Sequence, residues 1–414
     1  MGAVGCAAPV PVELPGLTPD CVRTGGRRLK ALYFFGFGVY GCFTPYLYLF
    51  CRDTLGFSDT QVGVLGSLLP LMRIVSPPIW GAASDAVRNP RYLIASIFLP
   101  SMAAMTLLLI RPGFAGAVGL MGVFAFFHAP AVAMIDGATF KHIERTGQDY
   151  SRLRLWGSIG FIMCTIGSGL PMYLRPDLRW FFALLVPCSV VSIYAALRVP
   201  DCPPRRPGKV GLRGFVMFKR FPVAVLTFCS FLSWAAMAAY YTFFSHYLVN
   251  REVPLPLIGS VWALGTFFES FVFYYAQPIL RWMGIKGLLA LGLGGVVTRL
   301  GILSLTPAWP VVLCSQTLHA LTLSAVHIAG VTYINRESPD HLRSSAQGIF
   351  CAIGIGLGSG LGSISAGWLR QIGTEVLMLR AHALFALFAL VVLLVGFRVK
   401  RQAADGQEER RPIA

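Results

Sequence analysis

Twelve stretches of predominantly apolar residues leave this chain little choice of fold. They lie near 29–51, 59–84, 91–111, 115–141, 151–174, 178–199, 221–249, 256–280, 286–306, 309–335, 342–369 and 376–399. Each is long enough to cross a hydrocarbon core of about 30 Å at a helical rise of about 1.5 Å per residue. Lipid offers backbone amides no hydrogen bonds, so a spanning segment must satisfy its own, as a helix does. A mean hydropathy of +0.65, with 55% hydrophobic and 13% charged residues, agrees. The expected class is an all-α membrane protein with twelve transmembrane helices.

The net charge of +17 invites a nucleic-acid partner, but its placement argues against one. With both termini in the cytoplasm, 26 of the 35 Lys and Arg fall on the cytoplasmic side. The positive-inside rule accounts for that bias, so lipid is the expected partner and nucleic acid is not. The plasma membrane is the expected location, with an organelle membrane as the alternative. Ten cysteines show no CxxC-type pairing and several sit in apolar runs. They read as small core residues, so neither a metal nor a cofactor is expected. The Pro-rich first 28 residues lack the apolar core of a secretory signal.

The natural break is the basic, Pro-rich stretch 200–220, Pro200-Asp-Cys-Pro-Pro-Arg-Arg-Pro-Gly-Lys209 and onward to Lys219-Arg220. It divides a six-helix bundle at 29–199 from a second at 221–399. Residues 1–28 and 400–414 read as cytoplasmic tails, the first disordered, and 211–221 as a short helix on the headgroups. The two bundles carry traces of a repeat. Gly63 and Arg73 in the second run are matched by Gly259 and Glu269 in the eighth, both offset by 196 residues. Asp149-Tyr-Ser-Arg152 precedes the fifth run as Asp340-His-Leu-Arg343 precedes the eleventh, each acid where a helix N-terminus favours it. The pattern predicts two pseudo-symmetric six-helix bundles. Glycines at 354, 356, 358, 360 and 362 predict close helix packing in the eleventh run.

An ionised side chain in mid-membrane costs about 2.5–3.5 kcal/mol, so it tends to find a partner or a cavity. Arg73, Glu269 and Arg299 all fall near the midplane by helical rise, and Glu269 is expected to pair with Arg299, Arg73 or both. Such a pair either fixes the halves together or couples proton binding to substrate. His319 and His327, eight residues apart, share a broad helical face and join Glu269 as a candidate proton site. Asp136 and Arg154, in the cytoplasmic third of neighbouring runs, either brace the loop between them or meet substrate. Trp156 offers a stacking surface, and Arg73, Tyr40, Tyr241 and His128 are further candidates for contact with substrate in the cavity. No GxxxxGK[ST], HExxH or GxSxG occurs, which argues against ATP hydrolysis and against an intramembrane enzyme.

Two segments carry a family resemblance. Gly81-Ala-Ala-Ser-Asp85-Ala-Val-Arg88-Asn-Pro-Arg91 resembles the loop 2–3 signature of the major facilitator superfamily. It lacks that signature's basic residue after the Asp and its Gly before the terminal basic cluster. Asp149-Tyr-Ser-Arg-Leu-Arg154-Leu-Trp-Gly157-Ser-Ile-Gly160-Phe resembles the MFS-1-like group, in the branch of the phenylpropionate and lactose permeases. Gln316-Thr-Leu-His319, Glu269 and Arg299 fit the same group. The resemblance implies a twelve-helix facilitator working by alternating access. It also implies substrate contact at Arg154 and proton coupling through Glu269, Arg299 and His319, and gating through Gly81, Asp85, Arg88, Arg91, Asp149, Arg152, Asp340 and Arg343. Thr322 stands where lactose permease has its proton-releasing glutamate, and Ala133 where it has a substrate carboxylate, with Asp136 three residues on. Lactose and that proton route are therefore not implied. The expectation is a monomeric secondary transporter, by proton symport, of a carboxylate, sugar or nucleoside. A uniporter, or a transport-inactive receptor or scaffold, are the alternatives.

Overall fold

The computed structural model describes residues 19–87, 89–199 and 212–408. Twelve helices there are long and apolar enough to cross a membrane. They are α1 Arg23–Asp53, α2 Asp59–Ser84, α3 Arg91–Ile110, α4 Phe114–Thr146, α5 Tyr150–Tyr173 and α6 Trp180–Leu197, then α7 Phe221–Val249, α8 Leu255–Val272, α9 Ala276–Ser304, α10 Trp309–Glu337, α11 Arg343–Ile372 and α12 Glu375–Gly396. Helical backbone begins at Pro19 and the last helix runs on to Glu408, so both termini are helical further out than the boundaries at 29 and 399. The expectations for 1–18, Arg88, 200–211 and 409–414 lie outside the described residues. Leu212–Lys219 forms a 3₁₀ helix. It buries Met217 and meets the start of α11, where the Gly214 amide donates to Ser345 Oγ at 3.1 Å. Phe215 and Val216 remain exposed.

Helix pairing repeats with a shift of six. In the first half α1 packs on α5 and α6, and α3 on α4 and α6; in the second α7 packs on α11 and α12, and α9 on α10 and α12. The halves meet along two further pairs, α2 against α11 and α5 against α8, which exchange under the same shift. The repeated glycines sit in these two seams. A Cβ on Gly63 would meet Ser363 O at 2.6 Å and Gly367 Cα at 2.9 Å, and one on Gly259 would overlap the Thr165 carbonyl. Any side chain there would push the two halves apart.

The alternating glycines of α11 resolve into two stripes of spacing four. Gly354, Gly358 and Gly362 face Ser230, Phe231 and Ala235 of α7, while Gly356 and Gly360 face Ile74 and Leu71 of α2. One helix is thereby wedged closely against its own bundle and the opposite one, with a π-helical stretch at Ala352–Gly358.

Polar bonds between the halves gather at the end remote from the 200–220 linker. Arg370 Nη1 of α11 donates to Asp59 Oδ1 of α2 at 2.8 Å, and Arg52 Nε reaches the same oxygen at 3.0 Å. The Asp59 amide donates to Gln371 Oε1 at 3.1 Å. Tyr46 Oη donates to Leu255 O and accepts from the Gly259 amide, both at 3.1 Å. Those two groups are four residues apart in α8, the pair that a regular helix joins directly. Arg370→Ala should therefore lower the stability of the purified protein by about 1–3 kcal/mol, read as a lower Tm in detergent, because a half-buried carboxylate loses its closest donor. A companion Asp59→Ala change should cost less than it does in the unaltered protein, since the two share a contact, and what remains reports the Arg52 pair.

Candidate functional site

The second half supplies a buried polar string. Arg299 of α9 has no exposed surface. Its Nη1 lies 2.6 Å from His319 Nδ1 of α10, its Nη2 donates to Gln316 Oε1 at 2.9 Å, and its guanidinium lies 3.9 Å from the ring centre of Tyr240 of α7. An arginine has only donors, so His319 Nδ1 must accept and the ring proton must sit on Nε2. That nitrogen lies 3.7 Å from Glu269 Oε2 of α8. The string thus runs Glu269, His319, Arg299, with Tyr240 and Gln316 as the outer wall. Counted from the helix ends remote from the linker, the three lie about 21, 15 and 8 Å deep. Water access falls the same way: side-chain exposure is 16% at Glu269 and 4% at His319.

This differs from the expected pairing. Glu269 touches neither Arg299 nor Arg73; His319 stands between the carboxylate and the buried guanidinium. Arg73 is exposed and carries no ion pair among the described residues. His327 follows the π-helical stretch Leu321–Ala325 and makes no hydrogen bond with Glu269 or His319 among the described residues. The Thr322 hydroxyl donates to its own helix at His319 O, 3.0 Å away, so it takes no part in the string.

The first half supplies a second polar group nearer the linker end. Asp136 of α4 accepts from Tyr33 Oη of α1 at 2.6 Å and from Tyr150 Oη of α5 at 3.1 Å, and Arg154 Nε lies 3.9 Å away. The guanidinium of Arg154 stacks over Phe37 at 4.0 Å. Both charges keep some exposure, 23% for Asp136 and 30% for Arg154. Arg154 stands on α5 and Glu269 on α8, two helices that pack together along the seam between the halves.

Other candidates are placed apart from these. Trp156 is two residues beyond Arg154, on the opposite side of α5, and meets Phe34 and Lys30. Tyr40 packs its ring 4.2 Å from His128, whose ring stacks on Phe124; among the described residues neither His128 nitrogen has a hydrogen-bond partner. Tyr241 lies beside Trp262 and His319. Asp149 caps α5, accepting from the Arg152 amide at 3.1 Å. Asp340 is exposed instead and pairs with the Arg343 side chain at 2.7 Å, so the two Asp-x-x-Arg motifs do different work. A Cβ on Gly81 would meet nothing within 4 Å, Arg91 packs on Tyr92, and the Asp85 side chain lies outside what the structure describes. Sequence reading passed over Tyr33, Tyr150 and Tyr240 as site residues. The signal available was a phenol in a membrane-length helix, whose hydroxyl needs a partner.

Twelve helices of membrane-spanning length and composition, paired in two bundles, define an integral multi-pass membrane protein. Residues 27–381 match the MFS_1 like family, and the chain belongs to that family. Its relatives are transporters, not enzymes. The chain is 27% identical over 379 residues to an Escherichia coli (strain K12) protein named "Probable 3-phenylpropionic acid transporter", covering 89% of this chain and 95% of that one. It is 22% identical over 376 residues to nucleoside permease NupG of Escherichia coli (strain K12), covering 84% and 88%. The crystal structure of the nucleoside transporter NupG has the same fold, with a TM-score of 0.79, 18% identity and coverage of 90% and 98%.

The string makes a stability prediction. His319→Leu leaves the sealed Arg299 without its closest acceptor and should cost about 3–5 kcal/mol, seen as a large fall in Tm or in folded yield. Adding Arg299→Met should recover a good part of that loss. No recovery would mean that the histidine matters for its packing rather than for the guanidinium.

Proposed function

We propose that this chain is a proton-coupled symporter of a small ring-bearing, hydroxyl-bearing solute, with nucleosides as the favoured class, and that it works by alternating access of its two halves. The observation that carries the reading is the position of Glu269. It is the most water-accessible member of the Glu269–His319–Arg299 string, and it stands on α8, which packs against the α5 helix that carries Arg154.

The coupling logic follows from charge. While Glu269 is ionised it offsets Arg299 through a neutral histidine and draws on Arg154 across the seam. Protonation removes that negative charge and frees both arginines to seek another acceptor. A substrate that supplies acceptors to Arg154 then binds better to the protonated protein, and the two ligands favour each other. His319 is a poor proton carrier in this arrangement, because a proton on Nδ1 would evict Arg299 and set two cations side by side. Asp136 offers acceptor oxygens and Arg154 a planar donor fork, a combination suited to vicinal hydroxyls. Phe37 and Tyr40 line the same side of α1 and offer ring faces to a planar group. Support for the nucleoside class comes also from the likeness to NupG. The free charge of Arg73 favours a second reading, an aromatic carboxylate, in keeping with the 3-phenylpropionic acid relative. The termini and linker would face the cytoplasm, where their basic residues belong.

The test is uptake of labelled uridine, maltose and phenylpropionate into proteoliposomes, with and without an inward proton gradient. Gradient-driven accumulation of uridine is expected. Glu269→Gln should abolish accumulation but keep exchange of preloaded substrate, and Arg154→Lys should weaken uptake at least tenfold because an ammonium cannot replace the fork. Accumulation of phenylpropionate alone would select the second reading. Equilibration indifferent to the gradient would make the protein a uniporter and Glu269 a structural partner.

A further inference from the structure

Three cysteines far apart in sequence come together inside the first bundle. Cys42 of α1, Cys164 of α5 and Cys188 of α6 have sulfurs within 4.8 Å of one another, with Cys164 and Cys188 at 3.7 Å. They are 0%, 5% and 3% exposed. Space for them is made at Gly38, one turn before Cys42. A Cβ there would meet Cys164 Sγ at 2.8 Å and Cys188 Sγ at 3.7 Å. Three separate helices therefore aim a sulfur at one spot. Cysteines used only as small core residues have no reason to converge, because each packs equally well against carbon.

The spacing suits an ion. Three sulfurs bound at about 2.3 Å around one metal lie about 4 Å apart, which these side chains reach with small rotations. The cluster includes no carboxylate or imidazole, so the donor set is sulfur alone and selects soft metals. Zinc ordinarily takes four ligands and is poorly served by three. Net charge narrows the choice further. Three thiolates leave a charge of −1 around a divalent ion and −2 around a monovalent one, and an apolar interior favours the smaller.

We propose that Cys42, Cys164 and Cys188 form a binding site for one soft divalent metal ion of the cadmium and mercury class. Each thiol gives its proton to solvent as its sulfur binds, so three protons leave for each ion taken up. The bound ion ties α1, which carries Tyr33 and Phe37, to α5, which carries Arg154. Metal occupancy thereby stiffens the wall of the first half that holds Asp136.

The experiment is titration of the purified, phosphine-reduced full chain in detergent with cadmium ion. One equivalent should bind with a sulfur-to-metal charge-transfer absorption and a raised Tm. X-ray absorption at the metal edge should count three sulfur neighbours. Cys164→Ser should remove the absorption band, whereas Cys51→Ser and Cys314→Ser should keep it. Gly38→Ala, by pressing on the Cys164 sulfur, should weaken binding at least tenfold. A first shell of oxygen or nitrogen, or a band that survives Cys164→Ser, would overturn the site. If Cys164→Ser fails to fold, the count of sulfur neighbours in the unaltered protein decides alone.

Discussion

A guanidinium with no exposed surface organises the second half of this molecule. Arg299 cannot be left alone in an apolar interior, where an unpaired ion costs several kcal/mol even after relaxation. Its surroundings answer that cost in order of proximity: a ring nitrogen, an amide oxygen, the face of a tyrosine, and a carboxylate one residue further out. These contacts come from α7, α8 and α10, so satisfying one charge fixes how three other helices stand around α9. Among the described residues the first half has no comparable sealed ion. Asp136 and Arg154 both keep water contact, and two phenols hold the carboxylate. The two halves share a backbone plan and differ in where they tolerate charge.

Much of the fold was legible from hydropathy, because lipid leaves the backbone few options and the twelve runs follow almost directly. The repeated Gly63 and Gly259 were readable as a pair, and their meaning emerged with the seams they occupy. The charged members of the site were also readable, since an arginine or glutamate in a spanning run is conspicuous. Their partners were not. Helical rise placed Glu269 and Arg299 both near the midplane and suggested direct contact, but the observed helix ends set them about 21 and 8 Å deep, and His319 of α10 fills the gap. The π-helical stretches in α10 and α11 also shift the faces of residues beyond them, which defeats counting from His319 to His327. Asp59 and Arg370 escaped notice because charges at helix ends are ordinary, and only their meeting across the halves makes them unusual.

The seams show how a rigid joint can be built from small parts. Glycines bring backbones of opposite halves into contact in α2–α11 and α5–α8, and one carboxylate and one phenol supply the polar bonds at the end away from the linker. Because backbone contact is intolerant of size, these seams resist gradual deformation. A joint of that kind favours distinct arrangements over intermediate ones.

The hydroxyl of Tyr46 occupies a place that α8 could fill by itself. It bridges the Leu255 carbonyl and the Gly259 amide, an acceptor and a donor one helical turn apart. Were the phenol withdrawn, those two groups would still have each other as partners in the first turn of α8, leaving no stranded polar atom. The contact works as a splice into a ladder, so it adds order while it lasts and exacts almost no electrostatic toll when it is undone.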